Sequence, residues 1–109
     1  MSIKRIWHGW TTPQNADPYQ DLLHHEVFPG IESKEIEGYR SVELLRLDQK
    51  DEVEFVTIMT FDSIESVIDF QGKEYQKSHV PPSAQKLLKR WDKTATHFTS
   101  IEKRNYRPL

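Results

Sequence analysis

The sequence predicts an α+β fold, with a four-stranded antiparallel sheet covered by helices on one face. Three observations carry this reading. The β-rich runs YRSVELLRL and EVEFVTIMTF are joined by the polar link DQKD and read as an antiparallel hairpin. Apolar residues recur at helical spacing on either side of it, at Tyr19, Leu22, Leu23 and Val27, then at Ile64, Val67 and Ile68. Alternating runs open and close the chain, at 3–10 and 94–106.

In order along the chain, IKRIWHGW forms a first strand with Trp7 and Gly9 on one face and Ile6, His8 and Trp10 on the other. TTPQNADP is a turn, with Asn15 or Asp17 as helix cap and Pro18 in the first helical turn. That helix is expected to end near Pro29-Gly30, with room for one more turn before Gly38. After the hairpin, Asp62 and Glu65 have the spacing of a capping box for a short second helix. Its pattern stops at Gly72, where a glycine frees the backbone to leave the helix. The segment FQGKEYQKSHVPPSA follows, and Pro81-Pro82 hold its exit extended. Ser83 caps a third short helix with Ala84, Leu87, Leu88 and Trp91 on one face. TATHFTSIEKRNY is the last strand, and the tail Arg107-Pro108-Leu109 frays. Strand, helix, strand, strand, helix, strand is the ferredoxin-like split βαβ order, with a helical insert before the last strand.

The chain has 109 residues, the size of one domain spanning 1–109. A charged content of 29% beside 36% hydrophobic residues predicts a soluble globular protein. The net charge of −2 argues against a nucleic-acid or general polyanion partner. Late basic residues (Lys86, Lys89, Arg90, Lys93) read as solvated faces. The absence of cysteine removes disulfides and thiolate metal sites and fits a reducing compartment. The opening residues lack the apolar core of a signal peptide, and no stretch approaches the ~18 apolar residues of a membrane span. A cytoplasmic protein with no membrane partner is expected.

The hairpin strands are apolar on both faces. Phe55, Met59 and Phe61 share one parity and Val56 and Ile58 the other; Leu45 and Leu47 oppose Val42 and Leu44. Two or three helices cover one face only. A symmetric homodimer packed sheet on sheet would bury the second, including Val56, Ile58 and Leu44.

IWHGW, EFVTIMTFDSIESVIDFQGKEYQKSHVPP and LLKRWDKTATHF are similar to the antibiotic-biosynthesis monooxygenase family of dimeric α+β barrels. The resemblance runs from Ile3 to about Tyr106. It implies a pocket between helices and sheet, with residues 70–84 along its rim, and a barrel formed by two subunits. The family includes cofactor-free oxygenases of aromatic polyketides and haem-degrading enzymes. It therefore implies, first, a cofactor-independent monooxygenase acting on an electron-rich phenolic, polyketide or quinone-like molecule. Trp7, Phe70 and Tyr75 would wall the substrate site, and His79 would be the catalytic base, its ordinary pKa of ~6.5 lying near working pH. The alternatives are a haem-binding or haem-degrading protein, since His79 resembles in position the haem-ligating histidine of that branch, and a non-catalytic small-molecule-binding module. The haem-degrading branch has an asparagine where this chain has Gly9 and a tryptophan where it has Phe70.

Each candidate has a plainer reading. His79 also reads as a loop histidine, and Trp7 and Trp10, flanking Gly9, as packing at a helix or subunit interface. His8 is expected at the interface. His24-His25-Glu26 diverge by ~100° per residue on a helix and do not converge on a metal. His97 beside Phe98 reads as packed. No P-loop, Gly-x-Gly-x-x-Gly or Gly-x-Ser-x-Gly pattern is present, so nucleotide cofactors and serine chemistry have no support in the sequence.

Overall fold

In the computed structural model, which describes residues 1–108, strand β1 (Ile3–Thr11) is the centre of an antiparallel sheet. It pairs along its whole length with β3 (Val53–Phe61), from Ile3 opposite Phe61 to Thr11 opposite Val53. β2 (Tyr39–Asp48) lies outside β3 as the hairpin partner. The other edge of β1 is shared by two short strands. β4 (Leu88–Trp91) pairs with Gly9–Thr11, and β5 (Thr96–Thr99) with Ile3–Ile6.

The sheet thus has five strands, not the four expected, because the last position is split. Between β4 and β5 the chain leaves β1 to pair with the rim segment. Ser78 N–H donates to the Lys93 carbonyl at 3.0 Å, and Ala95 N–H donates to the Gln76 carbonyl at 2.7 Å. The final strand shrinks to four residues, and 101–108 are exposed without strand structure.

Helix α1 (Pro13–Leu22) starts earlier than expected. Thr12 is its cap, its side chain accepting the Asn15 N–H, and Pro13 takes the first turn where no N–H is needed. Pro18 stands inside the helix on its exposed side, where water can satisfy the carbonyl that a proline leaves unbonded. Neither Asn15 nor Asp17 caps. The helix also runs past Pro29-Gly30. A wide π-turn (Leu23–Val27) carries it into α2 (Phe28–Glu32), with the Phe28 N–H reaching back five residues to the Leu23 carbonyl. That restart puts Pro29 in a first turn again.

Helix α3 (Ile64–Gln71) is capped by Ser63, which accepts the Ser66 N–H at 3.3 Å. Asp62, the expected cap, instead binds Arg40 through both carboxylate oxygens, at 2.9 and 2.6 Å. Gly72 ends the helix at φ 98°, a conformation that glycine adopts without strain. The third helix expected over 84–91 is a single turn, α4 (Pro82–Gln85), with no side-chain cap from Ser83. Leu88–Trp91 is strand because the β1 edge at Gly9–Thr11 requires a hydrogen-bonding partner. Ala84 and Leu88 are buried regardless, so the apolar spacing was read correctly and its geometry was not.

Alternation along β1 and β3 puts Arg5, Trp7, Gly9, Phe55, Thr57, Met59 and Phe61 under the helices. Two apolar clusters form there. One joins Tyr19, Leu23, Phe55 and Leu88; the other joins Ile31, Met59, Phe61, Val67 and Phe70; Val27 packs against both. The opposite face carries Ile6, Trp10, Val56 and Ile58, half-buried, with no helix among the described residues over them. Leu45 and Leu47 belong to it too, 42% and 54% exposed. Leu44 does not: opposite Thr57, it packs against the helix-side cluster. Among the described residues no helix is long and apolar enough to cross a membrane.

Candidate functional site

A cavity lies at the seam between the two clusters. Tyr19, Leu23 and Ala84 line it from one side, Ile31, Met59 and Phe70 from the other, and Arg5, Trp7 and Thr57 form its floor on the sheet. Its core, the space that centres of water-sized molecules can reach, is about 40 Å³, room for roughly three waters. An outer cleft of about 240 Å³ adjoins it, with Glu26, Gly30 and Lys34 at its mouth. Val27, Ile31, His79 and Pro81 line both spaces and form the collar between them. Of the stretch after Gly72, the part from His79 on is therefore a lip over a pocket as well as a link between elements.

Three of the four residues singled out in the sequence converge here. Trp7, Phe70 and His79 all line the inner cavity, and the His79 and Phe70 rings lie 5.2 Å apart, tilted by 57°. Tyr75 does not line it. Its ring packs edge-on against His97 at 5.2 Å. Trp7 is anchored by its indole N–H, which donates to the Asp92 carbonyl at 2.8 Å. The room beside Gly9 belongs to Trp7 itself: a Cβ there would come within 2.6 Å of the indole ring. Trp10 points to the open face, under the Arg90 guanidinium at 3.9 Å. His8 is on that face as expected, 2.7 Å from Glu54.

Arg5 escaped the sequence reading. It is 3% exposed, and its guanidinium lies 5.3 Å from the centre of the Phe70 ring. One terminal nitrogen, Nη1, donates to the Tyr75 carbonyl at 2.5 Å and meets His97 Nε2 at 3.0 Å; Nη2 donates to the Lys77 carbonyl at 2.8 Å. Guanidinium has only donors, so His97 accepts through Nε2 and a neutral ring carries its proton on Nδ1. The rim is built for this. Alternate carbonyls of an extended chain point to opposite sides, so Gln76 bonds Ala95 while Tyr75 and Lys77 bond Arg5. The available signal was parity: Arg5 falls on the same strand face as Trp7 and Gly9, the face that had to be buried.

The electrostatics follow from burial. Desolvation pushes the Arg5 pKa down to about 10, which still leaves it charged at neutral pH. Burial, then the charges of Lys34 and Arg5, hold His79 below the ordinary imidazole value; burial and Arg5 do the same to His97. Both rings are thus biased toward the neutral form, and a neutral imidazole can accept a proton. Among the described residues no three His, Asp or Glu side chains gather as a metal site. A haem ligated by His79 would have to displace Trp7, Met59 and Phe70, which fill in a core of about 40 Å³.

No protein-family model and no curated protein matches the sequence. Solved structures do match. A Bacillus cereus protein provisionally assigned as an antibiotic biosynthesis monooxygenase superposes with a TM-score of 0.68 at 14% identity, over 99% of this chain and 100% of its own. The Mycobacterium tuberculosis protein Rv0793 gives 0.61 at 16% identity, covering 96% and 100%. An ethyl tert-butyl ether degradation (EthD) family protein from Bacillus halodurans gives 0.57 at 18%, covering 93% and 100%. The chain has the fold of the antibiotic-biosynthesis-monooxygenase-like proteins that the sequence resembles.

Proposed function

We propose, on the premise of this shared fold, that the chain is a monooxygenase-like protein that oxidises an electron-rich phenolic or quinone-forming molecule without a bound metal or flavin. The observation that carries the reading is His79: an imidazole biased toward its neutral form, in the collar of a cavity walled by Trp7 and Phe70. His79 takes the phenolic proton. The resulting phenolate, the enolate of an anthrone-type ring, gives one electron to dioxygen. The ring radical and superoxide combine at the conjugated CH carbon, and protonated His79 returns its proton to the peroxide. The hydroperoxide then loses that carbon's hydrogen with its terminal OH as water. One oxygen atom stays in the product as a carbonyl and the other leaves as water. The inner space is smaller than a phenol ring, so binding displaces side chains at the collar.

We also propose a homodimer built through the open sheet face, supported by the uncovered run of Leu45, Leu47, Val56 and Ile58. Sedimentation that finds only monomer at micromolar concentration would remove it.

Oxygen uptake tests the activity, using hydroquinones and hydroxyanthrones with protein shown by elemental analysis to be metal-free. Turnover is expected to fall by about 10²-fold or more in His79→Ala and also to fall in Trp7→Ala. No uptake above the uncatalysed rate across the panel overturns the reading and leaves a small-molecule-binding module.

A further inference from the structure

We propose that the ligand of this cavity carries an oxyanion on a planar ring, a phenolate or an aryl carboxylate, and that Arg5 is its counter-ion. This inference rests on the reading of the cavity as the substrate site and specifies the charge of what enters it.

A buried charge is ordinarily paired with an opposite one, because neutral acceptors relieve only part of the desolvation cost. Arg5 has no such partner: among the described residues, none of the ion pairs includes it, although Arg40, Arg46, Arg90 and Arg104 each contact a carboxylate. Its acceptors are two backbone carbonyls and one imidazole nitrogen. A guanidinium has five N–H donors, and these three bonds leave two for a group that enters. Arg5 also forms part of the cavity wall beside Phe70, which offers an aromatic surface to the rest of the same ligand. The carbonyls of Tyr75 and Lys77 fix the fork in advance, since the segment bearing them is pinned to residues 93–95. A donor held in place before its acceptor arrives loses little on binding. Of the charges at the cleft mouth, Lys34 favours an incoming anion and Glu26 opposes it; both are exposed.

Calorimetric titration with benzoate and with its neutral isostere benzamide tests the proposal at mildly alkaline pH. Wild type should prefer benzoate by about tenfold or more. Arg5→Met should abolish the preference while benzamide binding persists. Equal affinities in wild type, or a preference that survives in Arg5→Met, overturns the proposal. Should Arg5→Met not fold, the Arg5 Nε–H resonance of wild type decides: displacement by benzoate but not benzamide supports the role, and no displacement by either overturns it. A chromogenic nitrophenol separates the two oxyanions. A bound phenol whose apparent pKa falls by about one unit in wild type and not in Arg5→Met identifies phenolate, and benzoate preference without that fall identifies carboxylate. These measurements need no oxygen. A charge preference without oxygen uptake keeps the counter-ion and removes the oxygenase, and uptake on the panel without a charge preference does the reverse.

Discussion

Arg5 and Arg90 sit on opposite faces of the same sheet, and the two show how differently a cation can be housed. Arg90 lies on the open face, stacked on Trp10 and paired with Glu52 at 2.6 Å. Arg5 lies under the helices, beside an aromatic ring as well, with carbonyls and an imidazole where a carboxylate would be expected. A pair exposed like that of Arg90 contributes only about 0–1 kcal/mol. A lone buried guanidinium is held at a cost. The covered face therefore holds a cation with no opposite charge beside it, and the open face pairs its cation with a carboxylate at the surface.

The comparison can be broken in the core first. Phe61→Ala, on the covered face and fully buried, is expected to cost about 3–5 kcal/mol in urea unfolding. A loss under 1 kcal/mol would mean that the second cluster does not hold the fold. Next comes Gly9→Ala, whose new methyl meets the Trp7 ring, with an expected loss of about 1–3 kcal/mol. The same variant should shift Trp7 fluorescence; an unchanged spectrum would place the ring elsewhere.

Acid should discriminate between the faces more gently. His79 and His97 have folded-state pKa values held below the ~6.5 of the unfolded chain. As pH falls, the unfolded state takes up protons first, so the stability is full above about 6.5 and is lost below it toward the depressed values. Protonated His97 would also turn a donor toward the Arg5 guanidinium. His97→Gln, which keeps an acceptor and does not titrate, should flatten part of that decline in stability measured across pH. An identical profile for the variant would assign the decline elsewhere. The smallest effect is expected on the open face, where Leu47→Ser should change the stability of the isolated subunit by no more than about 0.5 kcal/mol. Its weight should appear instead as weaker self-association on dilution, if the sheet faces pair.

Much of this was legible in the sequence because strand parity is local. The alternation of β1 and β3, the hairpin, the exit at Gly72 and the placing of Trp7, Phe70 and His79 around one space follow from short-range periodicity and from a family likeness. What failed was decided by distant partners. Leu87-Leu88 and Trp91 have helical spacing, yet the unpaired edge of β1 claims Leu88–Trp91 as strand. The final strand breaks because residues 93–95 are claimed by the rim at 76–78. Leu44 was put on the wrong face since the hairpin register, regular from Asp48 opposite Val53 to Ser41 opposite Thr60, sets it against inward-facing Thr57 and leaves Leu45 against Val56. Arg5 was readable from parity, but a charge on an inward position was passed over.

The π-turn at Leu23–Val27 has a consequence for how the cavity is framed. It inserts one residue into what is otherwise a continuous helix. Tyr19 upstream of it, Leu23 at its first position, and Phe28 and Ile31 downstream of it all face the same cavity. Each residue of an α-helix turns the side-chain direction by ~100°. Deleting one residue from 24–26 would restore ordinary helical phase and swing Phe28 and Ile31 about a quarter-turn off the cavity, leaving Tyr19 and Leu23 in place. The surplus residue thus acts as a phase shifter, by which one helical rod walls a single chamber from both of its ends.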